Sequence, residues 1–126
     1  MEAITQGIRI SVQTEYLEDQ SQPDQSFYLF AYHIKISNQS TQSVQLISRH
    51  WIITNGEGKK EEVRGEGVIG QQPSLMPGES FEYTSFCPLN TPMGTMQGSY
   101  WMEIEGAEGF RAAIPKFEFK NPYTLH

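Results

Sequence analysis

Tyr28-Leu29-Phe30-Ala31-Tyr32-His33-Ile34-Lys35-Ile36 is the stretch that decides the fold class. Successive side chains on a β-strand point to opposite faces. Tyr28, Phe30, Tyr32, Ile34 and Ile36 then share one strongly apolar face, with Leu29, Ala31, His33 and Lys35 on the other. A helix would scatter these aromatics around its circumference. The spacing predicts a strand over Phe27 to Ile36, half-buried against a core.

The same period runs outward in both directions. Toward the N-terminus, Ile8, Ile10, Val12 and Tyr16 alternate with Arg9, Ser11, Gln13 and Glu15, and Glu18 to Gln25 is a polar connection. Past the Asn38-Gln39-Ser40-Thr41 turn cluster, Val44 to Thr54 reads as a third strand. It would place Ile47, Arg49, Trp51 and Ile53 on one face and Leu46, Ser48, His50 and Ile52 on the other. Asn55-Gly56 signals a hairpin by tolerating positive φ. Lys60 to Arg64 follows as a short polar edge strand. Gly65 to Ser74 reads as a Gly- and Gln-rich connection. In Met76-Pro77-Gly78-Glu79, Pro presets φ and Gly supplies the positive φ of a turn. Further strands are expected around Phe81–Phe86, Met96–Glu105 and Phe110–Ile114, with Pro88 to Gly94 a loop. Phe117 to Phe119 is read as an extension of the last strand, and Phe117, Phe119 and Tyr123 as covering a sheet edge or pairing with a partner strand.

Seven short strands punctuated by turns predict an all-β fold. It is an antiparallel sandwich of the immunoglobulin or fibronectin-III kind, with a small barrel as the alternative. At 126 residues the whole chain, 1–126, is one domain. Two Trp, six Tyr and seven Phe supply a core and argue against disorder. Trp51 takes the place of the buried tryptophan of such sandwiches.

Nine Lys and Arg stand against fifteen Asp and Glu, a formal charge of −6. The excess is even: five minus eight up to residue 63, four minus seven after it. No basic cluster is present to neutralise a phosphate backbone, so no nucleic-acid partner is expected. No apolar run is long enough to span a bilayer, and the first residues lack a basic and an apolar segment. A cytoplasmic protein with no membrane partner is the expectation. The single cysteine, Cys87, fits a reducing compartment.

Several segments resemble the ApaG family. They are Ser48-Arg49-His50-Trp51-Ile52-Ile53, then Val63-Arg64-Gly65-Glu66-Gly67-Val68-Ile69-Gly70-Gln71-Gln72-Pro73 and Leu75-Met76-Pro77-Gly78-Glu79. Phe81-Glu82-Tyr83-Thr84-Ser85 and Thr91-Pro92-Met93-Gly94-Thr95-Met96-Gln97-Gly98-Ser99-Tyr100-Trp101-Met102 continue the match. The order of motifs spans most of the chain. Phe86 departs from a usual glycine and Asn55 from a common acidic residue. The resemblance implies an immunoglobulin- or fibronectin-III-like sandwich and a loose link to cobalt tolerance and magnesium efflux in bacteria. It also implies a neighbouring diadenosine-tetraphosphate hydrolase in some genomes. Related domains in eukaryotic F-box and DNA-polymerase-interacting proteins imply a protein-binding module. It carries over no catalytic residue.

Gly65-x-Gly67-x-x-Gly70 matches the glycine spacing of dinucleotide-binding turns, but no helix can be read after it and no βαβ unit surrounds it. The glycines are expected to serve backbone conformation, with an amide nest for an anion as the alternative. His33, His50 and His126 lie far apart in sequence. Glu57, Glu61 and Glu62 are mixed with Lys59 and Lys60, so no metal site and no cofactor are expected. Ser48 beside His50 has no legible third partner. The expected function is therefore non-enzymatic: a protein-binding module using the Gly65–Gly70 loop with Arg64 and Arg49, and an indirect role in divalent cation homeostasis. The alternative is phosphate, pyrophosphate or nucleotide bound by Gly65, Gly67 and Gly70, with Arg64 as charge partner. Direct cobalt or magnesium binding is a third reading. A homodimer stays open.

Overall fold

A computed structural model describes residues 1–123 as two antiparallel sheets packed face to face. Nine strands build them: β1 (Glu2–Thr5), β2 (Ile8–Tyr16), β3 (Tyr28–Asn38), β4 (Val44–Asn55), β5 (Lys60–Glu66), β6 (Ser74–Leu75), β7 (Ser80–Leu89), β8 (Met93–Ile104) and β9 (Ala107–Lys120). The first sheet runs β1-β2-β3-β7 and the second β5-β4-β8-β9, with β6 also pairing β4. The predicted sandwich is present. All seven predicted strands are found. β1 and β6 are additions, both too short for alternation to register. Two short 3-10 turns, Glu18–Gln20 and Pro23–Gln25, occupy the polar connection.

The core follows the alternation. Ile8, Ile10, Val12, Phe30, Tyr32, Ile34 and Ile36 are buried from the first sheet. Leu46, Trp51, Met96, Tyr100, Met102, Phe110 and Ile114 meet them from the second. Trp51 is held edge-on by Tyr32, Tyr100 and Phe117, with ring centres 5.6, 6.3 and 5.9 Å away. Edge-to-face aromatic pairs of this kind add to the area they bury.

Three sequence expectations are corrected. Strict alternation puts Leu46 and Trp51 on opposite faces of β4, yet both are buried in the core. A register shift at Ile47 inserts one residue and turns the strand over. Phe117 and Phe119 cover no edge. β9 runs on through Pro115, and both rings lie in the core, Phe119 stacked on Phe30. The Asn55 hairpin is real, but Asn55 and Gly56 do not carry positive φ; Gly58 does, at +83°. Asn55 Oδ1 instead accepts from the amides of Glu57 and Lys59, a side-chain cap on the turn. At Met76–Glu79 the predicted turn is found, with Gly78 at φ +89°.

One buried polar residue ties the loops down. Asn38, at the end of β3, donates from Nδ2 to the Gln42 and Leu75 carbonyls, while its Oδ1 accepts from the Ser40 amide. Without these partners the buried Asn38 amide would be an orphan.

The two sides of the sandwich differ. β9 packs on β1 and β2, and the Ala113 amide donates to Thr5 Oγ1, which seals that seam. The opposite side ends in the free edges of β5 and β7. Lys60, Glu61, Glu62, Arg64 and Glu66 charge the β5 edge against stray pairing. This edge strand leads directly into the glycine segment.

Candidate functional site

The predicted site residues separate onto two faces. Arg49 and Gly65 are directly opposed on β4 and β5, as are His50 and Arg64 one step along. Consecutive residues point to opposite faces, so Arg49 with Gly65 faces inward and Arg64 with His50 faces outward.

Gly65 makes room for an arginine. A Cβ there would come within 2.7–2.9 Å of the Arg49 guanidinium. Lying across Gly65, Arg49 donates through Nη1 to the carbonyls of Glu66 and Gly67, at 2.9 Å each. These bonds fix the exit of β5, and they leave that nitrogen nothing to offer an anion.

Gly67 and Gly70 then shape a tight hairpin. Gly67 has φ +62°, and a Cβ would run into the Gln71 carbonyl oxygen. Val68 and Gln71 exchange both backbone hydrogen bonds across Ile69 and Gly70, whose φ values are +43° and +76°. Two successive positive φ values define a type I′ turn. Val68 is buried beneath it and Ile69 stands 54% exposed at its tip. The chain then enters β6, so no helix N-terminus meets the three glycines. A β-branched residue with positive φ is an outlier, and such strain recurs at functional sites.

The outer face of the second sheet is where side chains gather. Row by row it carries Ser48, Trp101 and Arg111, then Arg64, His50 and Ser99. Together with Arg49, Gly65 and Glu66 they line a depression of about 340 Å³. Trp101 is 40% exposed there. Its ring lies across Gly109, where a Cβ would reach within 2.9 Å of Cζ2. Glu62 bridges the adjacent rim. It accepts from His50 Nε2 at 2.5 Å and from Arg64 Nη2 at 2.9 Å. These two contacts hold the Glu62 carboxyl below its ordinary range.

Sequence reasoning missed two features here. Trp101 falls within the expected Met96–Glu105 strand, but nothing local marks it as the exposed aromatic. Its neighbour Arg111 was not singled out, because it lies on another strand ten residues later. His33 also acquires partners from a distant strand. Its Nδ1 meets Thr84 Oγ1 at 2.8 Å and its Nε2 meets Glu82 Oε1 at 2.9 Å. The order hydroxyl, imidazole, carboxylate imitates a hydrolytic triad. It lies on the outer face of the first sheet, with the His33 and Glu82 side chains both exposed to solvent. His126 lies outside the described residues.

Cys87 faces the core, and burial pushes its thiol up to about 12. A thiol in that state is a poor nucleophile. Ser48 and His50 do share the outer face, but the imidazole is taken up by Glu62. Among the described residues, no three His, Cys, Asp or Glu side chains stand close enough together to hold a metal ion. Among the same residues no helix is long and apolar enough to cross a membrane.

The family model for the ApaG domain covers residues 18–104. A Protein ApaG of Methylobacterium sp. (strain 4-46) is 52% identical over 122 residues, 97% of this chain and 94% of that protein. One from Rhodospirillum centenum is 48% identical over 120 residues, 95% of this chain and 92% of that protein. A Bordetella pertussis crystal structure described as an ApaA protein is 50% identical and superposes with a TM-score of 0.90. It covers 93% of this chain and 95% of that one. With the family model over most of the domain and near-full-length relatives at half identity, the chain belongs to the ApaG family.

Proposed function

We propose that the protein is a non-enzymatic binding module that engages a protein partner through the outer face of its second sheet. The observation behind this reading is Trp101, half exposed beside Arg111 of the neighbouring strand and braced against Gly109. Trp and Arg are the side chains that most often dominate interface energies, and they do so near the centre of a contact. A flat sheet face offers such a centre without a cleft. The Gly65–Gly70 hairpin borders it, presenting Ile69 at its tip and Arg64 at its base. Cation homeostasis, which the family resemblance implies, is on this reading an indirect effect of the partner. A cytoplasmic location accords with it.

Replacement of Trp101 by Ala tests the proposal. The side chain is half exposed, so the variant should keep its circular-dichroism spectrum and most of its thermal stability. Partners recovered by crosslinking with the parent chain should be lost with Trp101→Ala. Recovery of the same partners at the same yield would overturn the proposal.

A further inference from the structure

We infer that the depression beside Trp101 takes an acidic segment of the partner, with a carboxylate or phosphate side chain on Arg64 and Arg111 and an apolar or aromatic neighbour on the indole. The inference rests on the binding-module reading above and gives that partner its chemistry.

The charge distribution carries it. The chain has four arginines, and three line this one depression: Arg64 and Arg111 from the outer face, and Arg49 with its guanidinium turned inward across Gly65. His50 lines it too; Glu66 is the carboxylate of the lining, and Glu62 sits on the adjacent rim bonded to His50 and Arg64. This happens in a chain of net charge −6. The three arginines have different tasks. Arg49 is committed to the Glu66 and Gly67 carbonyls and shapes the rim. Arg64 keeps only Nη2 on Glu62, which holds the guanidinium on the outer face and leaves its other donors free. Arg111 has no carboxylate within 4 Å among the described residues. Charge-assisted bonds from a guanidinium fork suit a carboxylate or a phosphate equally.

The shape favours a chain over a small ligand. A cofactor-sized molecule is usually buried over most of its surface in an enclosed cavity. This depression is a shallow break in a sheet face that an extended segment can cross. Trp101 supplies the apolar contact beside the charges. The acidic remainder of the surface disfavours a polynucleotide, which needs basic contacts along its length.

The test uses the full ¹⁵N-labelled chain and three probes: the blocked peptide Glu-Glu-Tyr-Glu-Glu, its Gln-Gln-Tyr-Gln-Gln counterpart, and ATP. The acidic peptide should shift the Trp101 indole N–H and the Arg111 Nε–H. It should bind roughly fivefold tighter than the Gln peptide. Arg111→Gln should remove that preference, and Arg64→Gln should reduce it. Both side chains are exposed, so neither variant should unfold. Equal binding of the two peptides, or shifts confined to Lys59 and Lys60, overturns the inference. ATP binding tenfold tighter than the acidic peptide also overturns it, in favour of a small phosphate ligand. If Trp101→Ala still abolishes partner recovery while the peptides are not distinguished, only the acidic chemistry falls and the binding face stands.

Discussion

Tyr83 of β7 and Tyr100 of β8 join their hydroxyls in a hydrogen bond across the two sheets, in the middle of the core. Both rings are buried, and burial pushes both phenols well above their usual range. Burial disfavours the charged form of either phenol, so at neutral pH the pair is a bond between two neutral hydroxyls. Removing one hydroxyl leaves the other buried with no partner, a cost of about 1–3 kcal/mol. Tyr100→Phe and Tyr83→Phe should therefore each destabilise by that order. The double variant should cost less than the sum of the two, because no orphan remains. Chemical denaturation of all four proteins checks this; additive losses would refute the coupling.

Cys87 gives a second prediction. Its thiol is raised to about 12, chiefly by burial. In the unfolded chain it titrates near its ordinary value of 9. The raised group contributes stability that is present below the unfolded value and lost as pH climbs through the folded one. At pH 8 a thiol reagent should label the native protein far more slowly than the denatured one. Labelling at equal rates would show that Cys87 is not shielded as described.

Glu62 and Glu82 predict the acid side. His50 and Arg64 hold the Glu62 carboxyl low, and His33 does the same to Glu82. A depressed carboxyl contributes stability above its unfolded value, about 4.5. That contribution is lost as pH falls through the lowered folded value. Carboxyl titration by NMR should find both midpoints below the ordinary glutamate value of about 4.5. His50→Gln should move Glu62 upward and leave Glu82 in place. Simultaneous movement of both would contradict separate pairing on opposite sheets.

The fold was legible because the core is written in period two over long stretches, most clearly from Phe30 to Ile36. Legibility failed where one residue changes the phase. The bulge at Ile47 leaves no local mark, since Leu46 and Trp51 are apolar in either register. β6 is two residues long and owes its place to Asn38 and to pairing with Val44. The site was half legible. Gly65, Gly67, Gly70 and Arg64 were singled out from spacing, and they do border the depression or shape the hairpin beside it. Their chemistry was not legible, because it depends on which face each residue takes. Arg49 and Arg64 are fifteen positions apart in sequence and diagonal neighbours in space, yet they serve opposite sides of one sheet. Arg111 joins only through the β8–β9 register.

The two loop glycines at positive φ should respond unequally. Gly67 combines that backbone with a Cβ position blocked by the Gln71 carbonyl, whereas Gly70 faces open space. Gly70→Ala should cost about 1–2 kcal/mol from backbone strain alone. Gly67→Ala should cost clearly more, since the hairpin must also open. Thermal melts compare them. Equal losses would mean that the Gln71 carbonyl yields freely, and the hairpin is then looser than its paired hydrogen bonds indicate.

Ile69 sits in the same hairpin and should behave the other way. A left-handed backbone costs a non-glycine residue about 1–2 kcal/mol, and a β-branched side chain tolerates it poorly. At φ +43° and 54% exposed, Ile69 meets that cost with little burial in return. Asn accepts this conformation, so Ile69→Asn should stabilise the domain by about 1 kcal/mol, a rise of roughly 3–5 °C in Tm. A strained apolar side chain at the border of a binding face has a reason to persist if a partner covers it. The same variant should then recover less partner than the parent chain, although it is the more stable protein. Differential scanning calorimetry and crosslinked recovery measure the two effects independently. A gain in stability with undiminished recovery would remove Ile69 from the contact surface, and a fall in Tm would remove the strain argument itself.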